Sequence, residues 1–205
     1  MTVRLHRGDL PSLAAYKGAV AIDTETMGLD PHRDRLCVVQ LSPGDGSADV
    51  VQIAAGKPDA PNIKRMLADK SILKIFHYAR FDLATLYNTY GVMAEPVYCT
   101  KIASRLARTY SDKHGLKDIT RELLNIDLSK QQQSSDWGSD QLSDAQVAYA
   151  ATDVLHLHAL KERLDAMLAR EDRANLAAAC FRFLPDRVRL DLAGWASEDI
   201  FSHSA

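Results

Sequence analysis

The chain has 205 residues, 46% of them hydrophobic and 25% charged, with a formal net charge of −2 and a pI near 6.4. That length suits one domain with a proper core, and the balance leaves little positive charge for gripping a long phosphate backbone. No apolar run of about 18 residues exists to span a bilayer. The opening MTVRLHRGDLPSL also lacks the apolar centre of a secretory signal, so a cytoplasmic location is expected. Cys37, Cys99 and Cys180 are scattered and form no CxxC pair, which argues for reduced thiols in apolar surroundings rather than a disulfide or thiolate–metal framework.

In chain order, residues 19–26 (AVAIDTET) read as an apolar strand ending in carboxylates. Residues 35–42 and 48–53 read as further strands around the turn Pro43-Gly44-Asp45-Gly46. A helix is expected near 62–69, a strand at 71–77, a helix at 80–90 stopped by Gly91, and a short strand at 96–99. From residue 100 the pattern is helical, at 101–109, 115–125, 143–171 and 173–183, with Ser143 and Gln146 at capping-box spacing. Strands followed by interleaved helices imply an α/β domain: a mixed five-stranded sheet flanked by helices. The core is placed at about 19–184 and a tail at 185–205.

Three pieces carry chemistry. Asp23 and Glu25 lie two apart on a strand and so share a face. Asp82 follows a strand in FHYARFDL and falls in the first turn of a helix, where a carboxylate also suits the helix dipole. Tyr149 and Asp153 are four apart on an Ala-rich helix and share a face. An acid on a half-buried helical face is costly unless paired or metal-bound. Each piece alone has an ordinary structural explanation; together they form a set of hard oxygen ligands suited to divalent cations. Two such ions can activate water and stabilise a leaving oxygen at phosphorus, with Tyr149 orienting the water.

In order and spacing, DTET, HYARFD and QVAYAATD resemble the three motifs of the DEDD 3′-5′ exonucleases, in the form with Tyr four residues before the last Asp. The resemblance covers roughly 19–160 and implies a ribonuclease H-like fold. It also implies two divalent ions, Mg²⁺ or Mn²⁺, with Asp23, Glu25, Asp82 and Asp153 as ligands. Residues 114–137 resemble ribonuclease D, and overall length and the ending resemble the nano-RNase C group. That likeness implies degradation of short single-stranded RNA, notably dinucleotides, and a ring-shaped homo-octamer, while an exonuclease that also accepts DNA is a rival reading. Leu29 matches the leucine that wedges between the last two bases; a turn-flanking apolar residue is the alternative. His77 is placed near the scissile phosphate, or else is a hydrogen-bonded strand end. Tyr78 departs from the Asn common at its position in the family.

Residues 101–117 gather Lys101, Arg105, Arg108, Lys113, His114 and Lys117. They form either a solvated face or a phosphate-binding wall for a short substrate; Arg105, Arg108 and His114 are the candidates. Trp195 and Phe201 pack either on their own domain or into a neighbouring subunit. The rival functions are trimming of structured RNA in the manner of ribonuclease D and an inactive RNA-binding scaffold.

Overall fold

The computed structural model describes residues 2–56, 58–129, 131–132 and 134–203. Six strands form one sheet: β1 (Thr2–Arg7), β2 (Ala19–Thr26), β3 (Leu36–Ser42), β4 (Ser47–Gln52), β5 (Leu73–Phe76) and β6 (Val97–Cys99). Their order is β1-β4-β3-β2-β5-β6. The pairs β2–β3 and β3–β4 are antiparallel, and β1–β4, β2–β5 and β5–β6 are parallel. Helices α1 (Pro61–Ala68), α2 (Ala79–Tyr90), α3 (Thr100–Ala107), α4 (Leu116–Leu124), α5 (Asp144–Leu155), α6 (Leu157–Arg170) and α7 (Ala174–Leu190) cover the two faces.

Strand alternation divides the core in two. Val20, Ile22, Val39, Leu41 and Val51 pack against Ile63, Met66, Leu83 and Leu86 of α1 and α2, with Leu184 and Val188 of α7. On the opposite face Ala21, Val38, Val50 and Ile75 meet Ala150, Ala151 and Val154 of α5, with Leu157, Leu160 and Leu164 of α6. Cys37 and Cys99 are buried free thiols and Cys180 is a half-buried one.

The sheet has one strand more than the five expected. In TVRLHR only Val3 and Leu5 are apolar, and Leu5 is largely exposed, so burial does not specify this edge strand. Polar groups do. Asp49 on β4 accepts from Arg4 at 2.7 and 3.0 Å, from His6 at 2.7 Å and from Tyr16 at 2.5 Å.

The helix expected over 143–171 is two helices meeting at His156, whose φ of −105° and ψ of −4° interrupt the ladder. The break lets α5 lie on the sheet while α6 packs on α3 and α4. The last helix runs beyond 183 to Leu190 through the buried Pro185, held by the core packing of Leu184 and Val188. Residues 185–190 are therefore helix rather than tail.

Candidate active site

Strand alternation aims Asp23 and Glu25 at the α5 side, while Thr24 between them is buried toward α2. The pairing of β2 with β3 slips between Glu25 and Thr26, a local bulge of the kind that re-aims side chains next to active sites. From α5, whose start is fixed by the capping box of Ser143 and Gln146, Asp153 reaches the same point. Carboxylate oxygens of Asp23, Glu25 and Asp153 lie within 4.8 Å of one another.

Asp82 arrives from the other layer, in the first turn of α2, only 2% exposed, and Thr24 Oγ1 donates to its Oδ1 at 2.8 Å. Through Thr24, one strand holds two carboxylates on one side and orients a third on the other. Asp82 stands outside the tight trio, close enough for its charge to act on Asp23 and Glu25.

Burial raises all four carboxyl groups, and repulsion from neighbouring acids adds to it at Asp23, Glu25 and Asp82. Asp23 is well above the usual range, through burial first and then through Asp82, Asp153 and Glu25. Glu25 is pushed up to about 8 by burial and by Asp153 and Asp82, and Asp82 and Asp153 to about 7, burial being the main cause. No Lys, Arg or His forms a salt bridge with any of them among the described residues. Four crowded acids without a cationic partner fit divalent cations: hard oxygen donors converge, and each bound charge would relieve the repulsion. Gln40 strengthens the fit. It is paired across the sheet with Asp23 and fully buried, and neither amide atom has a partner in the protein. Asp23, Glu25 and Asp153 would hold such an ion, with Asp82 serving a second.

Tyr149 sits one turn before Asp153. Burial, then the charges of Asp153, Glu25 and Asp23, raise its hydroxyl pKa, so it stays a proton donor. Its ring lies 6.1 Å from that of the buried Trp137, tilted by 37°. Trp137 belongs to a loop tied to both the sheet and α5: Arg35 beside β3 donates to Gly138 O at 3.1 Å, Gln52 of β4 to Ser139 O at 2.8 Å, and Gln146 Nε2 of α5 to Asp136 O at 3.0 Å.

A cleft of about 330 Å³ opens over the carboxylates, lined by Asp23, Glu25, Tyr149, Asp153, His77, Tyr78, Lys101, Lys117, Leu128 and Ser129, among others. His77 belongs to it. The Thr100 hydroxyl donates to Phe76 O at 3.2 Å, so His77 Nδ1–H donates to Thr100 Oγ1 at 2.8 Å. Burial, with Lys101 nearby, pushes this imidazole down to about 3, and it is neutral near pH 7.

Tyr78 adopts φ +69°, the left-handed region, where Asn is far better tolerated than an aromatic residue. The Lys101 ammonium lies 4.4 Å from the Tyr78 ring centroid. Among the described residues neither Lys101 nor Lys117 forms a salt bridge, so both charges are free to face a phosphate.

The other candidates sit elsewhere. Leu29 is 84% exposed on the rim of an adjoining cavity that shares Tyr78 with the cleft. Arg105 is exposed and lines a further cavity with Tyr78, Lys101 and Arg187. Arg108 has a different task from the one expected: 0% exposed, it bonds Glu122, Ser104 Oγ at 3.0 Å and Lys113 O at 2.7 Å, tying α3 to α4. His114 is held at 2.9 Å by Ser104 Oγ beside this knot; the cleft is lined instead by the following Gly115, Leu116 and Lys117. Leu128 and Ser129 carried no signal in the sequence, since they reach the cleft only by tertiary folding.

Residues 9–169 match the family described as 3′-5′ exonuclease, and the chain belongs to that family. Within it, the chain is similar over its full length, and over theirs, to solved structures of Brucella melitensis NrnC. One with bound Mg²⁺ gives 60% identity and a TM-score of 0.96, and one bound to pGG gives 61% and 0.97. It is also 34% identical over 154 residues to ribonuclease D of Granulibacter bethesdensis, covering 75% of this chain but 38% of that one. The chain thus spans about two fifths of the ribonuclease D relatives it matches. Escherichia coli RNase D shares the fold at 23% identity and a TM-score of 0.79, and the mixed sheet with flanking helices is the ribonuclease H-like exonuclease fold.

Proposed function

We propose that this chain is a two-metal-ion 3′-5′ exoribonuclease acting on short single-stranded RNA, notably dinucleotides, and releasing nucleoside 5′-monophosphates. The observation that carries the reading is the convergence of Asp23, Glu25 and Asp153 within 4.8 Å, beneath a small cleft that also holds Tyr149 and free lysines. End-to-end similarity to a protein solved with pGG supports the substrate class. Bound Mg²⁺ or Mn²⁺ would supply an activated water and charge stabilisation at the phosphorus.

The chain's own groups do the rest. Tyr149, protonated, donates to the attacking water and fixes its direction. Lys101 and Lys117 attract the phosphate, and neutral His77 presents a ring held by Thr100 at the cleft wall. Leu29, exposed at the rim, suits insertion between the last two bases. By the same likeness we propose a homo-octamer, with Trp195 and Phe201 available to a neighbouring subunit; deleting 195–205 and measuring solution mass tests this, and an unchanged oligomer counts against it.

Ribonuclease D-like trimming of structured RNA is a second reading, favoured by the 34% identity to that enzyme; DNA is a further substrate class. The decisive experiment is cleavage of 5′-labelled RNAs from two nucleotides upward with Mn²⁺, wild type against Asp23→Ala. Rapid loss of the dinucleotide by wild type alone supports the short-RNA reading. Equal or faster trimming of long or structured RNA favours the second, and no metal-dependent cleavage defeats both.

A further inference from the structure

The C-terminal end of the chain reaches the site through one carboxylate. After α7 the backbone makes a wide turn over Asp191–Trp195 and kinks at Gly194, whose φ of +107° suits glycine alone. Asp191 heads this turn with a side chain only 11% exposed, and it accepts from two arginines. Arg80 donates through Nε and through Nη2 at 2.7 Å; Arg187 donates through Nε at 2.8 Å and Nη2 at 2.5 Å. Each guanidinium then spends further N–H groups on carbonyls of the turn. Arg80 reaches Ala196 O at 2.8 Å, and Arg187 reaches Trp195 O and, at 3.4 Å, Glu198 O. One carboxylate thereby orients two forks that hold the chain from 195 to 198.

Arg80 stands midway between Tyr78 of the cleft and Asp82 of the carboxylate set, in the first turn of α2. The clamped turn and Leu29 line one cavity of about 480 Å³, to which Tyr78, Arg80 and Phe81 also contribute, with Asp191, Leu192 and Ala196 supplied by the turn. Flat apolar walls beside a guanidinium match the faces and edge of a nucleobase.

We propose that Asp191 is a positioning residue for substrate binding: by clamping the C-terminal turn to α2 it sets the part of the wall that the turn gives to the cavity shared with Leu29. The inference rests on the short-RNA reading. A dinucleotide has only two bases to bind by, so loss of this wall weakens its binding more than that of a longer strand with contacts elsewhere.

The test compares wild type with Asp191→Asn, which keeps the shape and removes the charge, and Asp191→Glu, which keeps the charge. Arg189→Gln, two residues before Asp191 but paired with Asp186 and outside the cavity lining, is the control. KM and kcat are measured on two-nucleotide and five-nucleotide RNA, with amide exchange followed at residues 192–198. Asp191→Asn is expected to raise KM for the dinucleotide about tenfold with kcat within about twofold. KM for the longer RNA should rise less and exchange at 192–198 should accelerate, with partial rescue in Asp191→Glu and no effect in the control. Unchanged KM, a loss confined to kcat, or equal losses on both lengths would overturn the proposal. If wild type ignores the dinucleotide, the short-RNA reading has failed. Exchange at 192–198 and KM on the longer RNA then decide Asp191 on their own, with faster exchange and raised KM supporting the clamp and anything less removing it.

Discussion

Asp153 is placed where an acid suited to a metal site works against stability in the absence of a cation. Its neighbours Asp23 and Glu25 are held close without a cationic partner, so Asp153→Asn is expected to abolish cleavage. In EDTA it should raise stability by about 1 kcal/mol, or about 3 °C in Tm at this chain length; equal or lower Tm in calorimetry would contradict the repulsion argument. Gln40→Leu replaces an unpartnered buried amide with an apolar group of similar size, which is close to neutral for folding. If the amide supports Asp23, Mg²⁺ affinity by titration calorimetry should fall about tenfold. Trp137→Phe is expected to lower kcat about tenfold with KM nearly unchanged, because Tyr149 loses its backing but not its hydroxyl; equal kinetics would free Tyr149 of that support. The shared faces of Asp23 with Glu25 and of Tyr149 with Asp153 were legible in strand and helix periodicity, whereas the joining of Asp82 to them was legible only from the order of the three motifs and their resemblance to the family. Arg108 was not, since a fixed charge on a helical face looks the same whether it meets solvent or, as here, Glu122 within the protein. Lys117 was in view only as part of a charge run; its place at the cleft depends on how α4 docks.

At the level of elements, strand β1 depends on a single acid. Hydrogen bonds from Arg4, Tyr16 and His6 hold Asp49 down to about 2 against burial. The native carboxyl binds its proton less readily than the unfolded one. Its contribution is therefore full above the unfolded value of 3.8 and is lost as pH falls through about 2. Asp49→Asn should cost about 2 kcal/mol at pH 7 and much less at pH 2, which denaturant melts at the two pH values would read. The same polar dependence explains why the sequence pattern passed over β1: alternation of apolar residues marks strands that bury a face, and this one is pinned by charge. The continuous pattern over 143–171 likewise concealed the break at His156, because both helices keep an apolar face and only their different partners, sheet and helices, demand the bend. The helix expected at 173–183 stops short of Leu190, because the burial of Leu184 and Val188, which carries α7 through Pro185, depends on tertiary packing.

For the molecule as a whole, the site is a meeting of two layers, with β2 between them. Asp23 and Glu25 come from the strand, Asp82 from the helix layer on one face and Asp153 from that on the other. A cation bound there touches groups that otherwise repel, so Tm should climb with Mg²⁺ concentration, by about 2.7 kcal/mol in stability at a hundredfold excess over the dissociation constant. An unchanged melting curve across a Mg²⁺ series would detach the cluster from metal binding. The spread of these residues along the chain also has a consequence during synthesis. The strand carrying Asp23 and Glu25 leaves the ribosome well before α5, and the site lacks its last acid until Asp153 and the rest of that helix have emerged and docked. Nascent chains, and fragments stalled before that helix, are thus expected to be inert toward RNA, with activity appearing only once Asp153 has joined the other three acids.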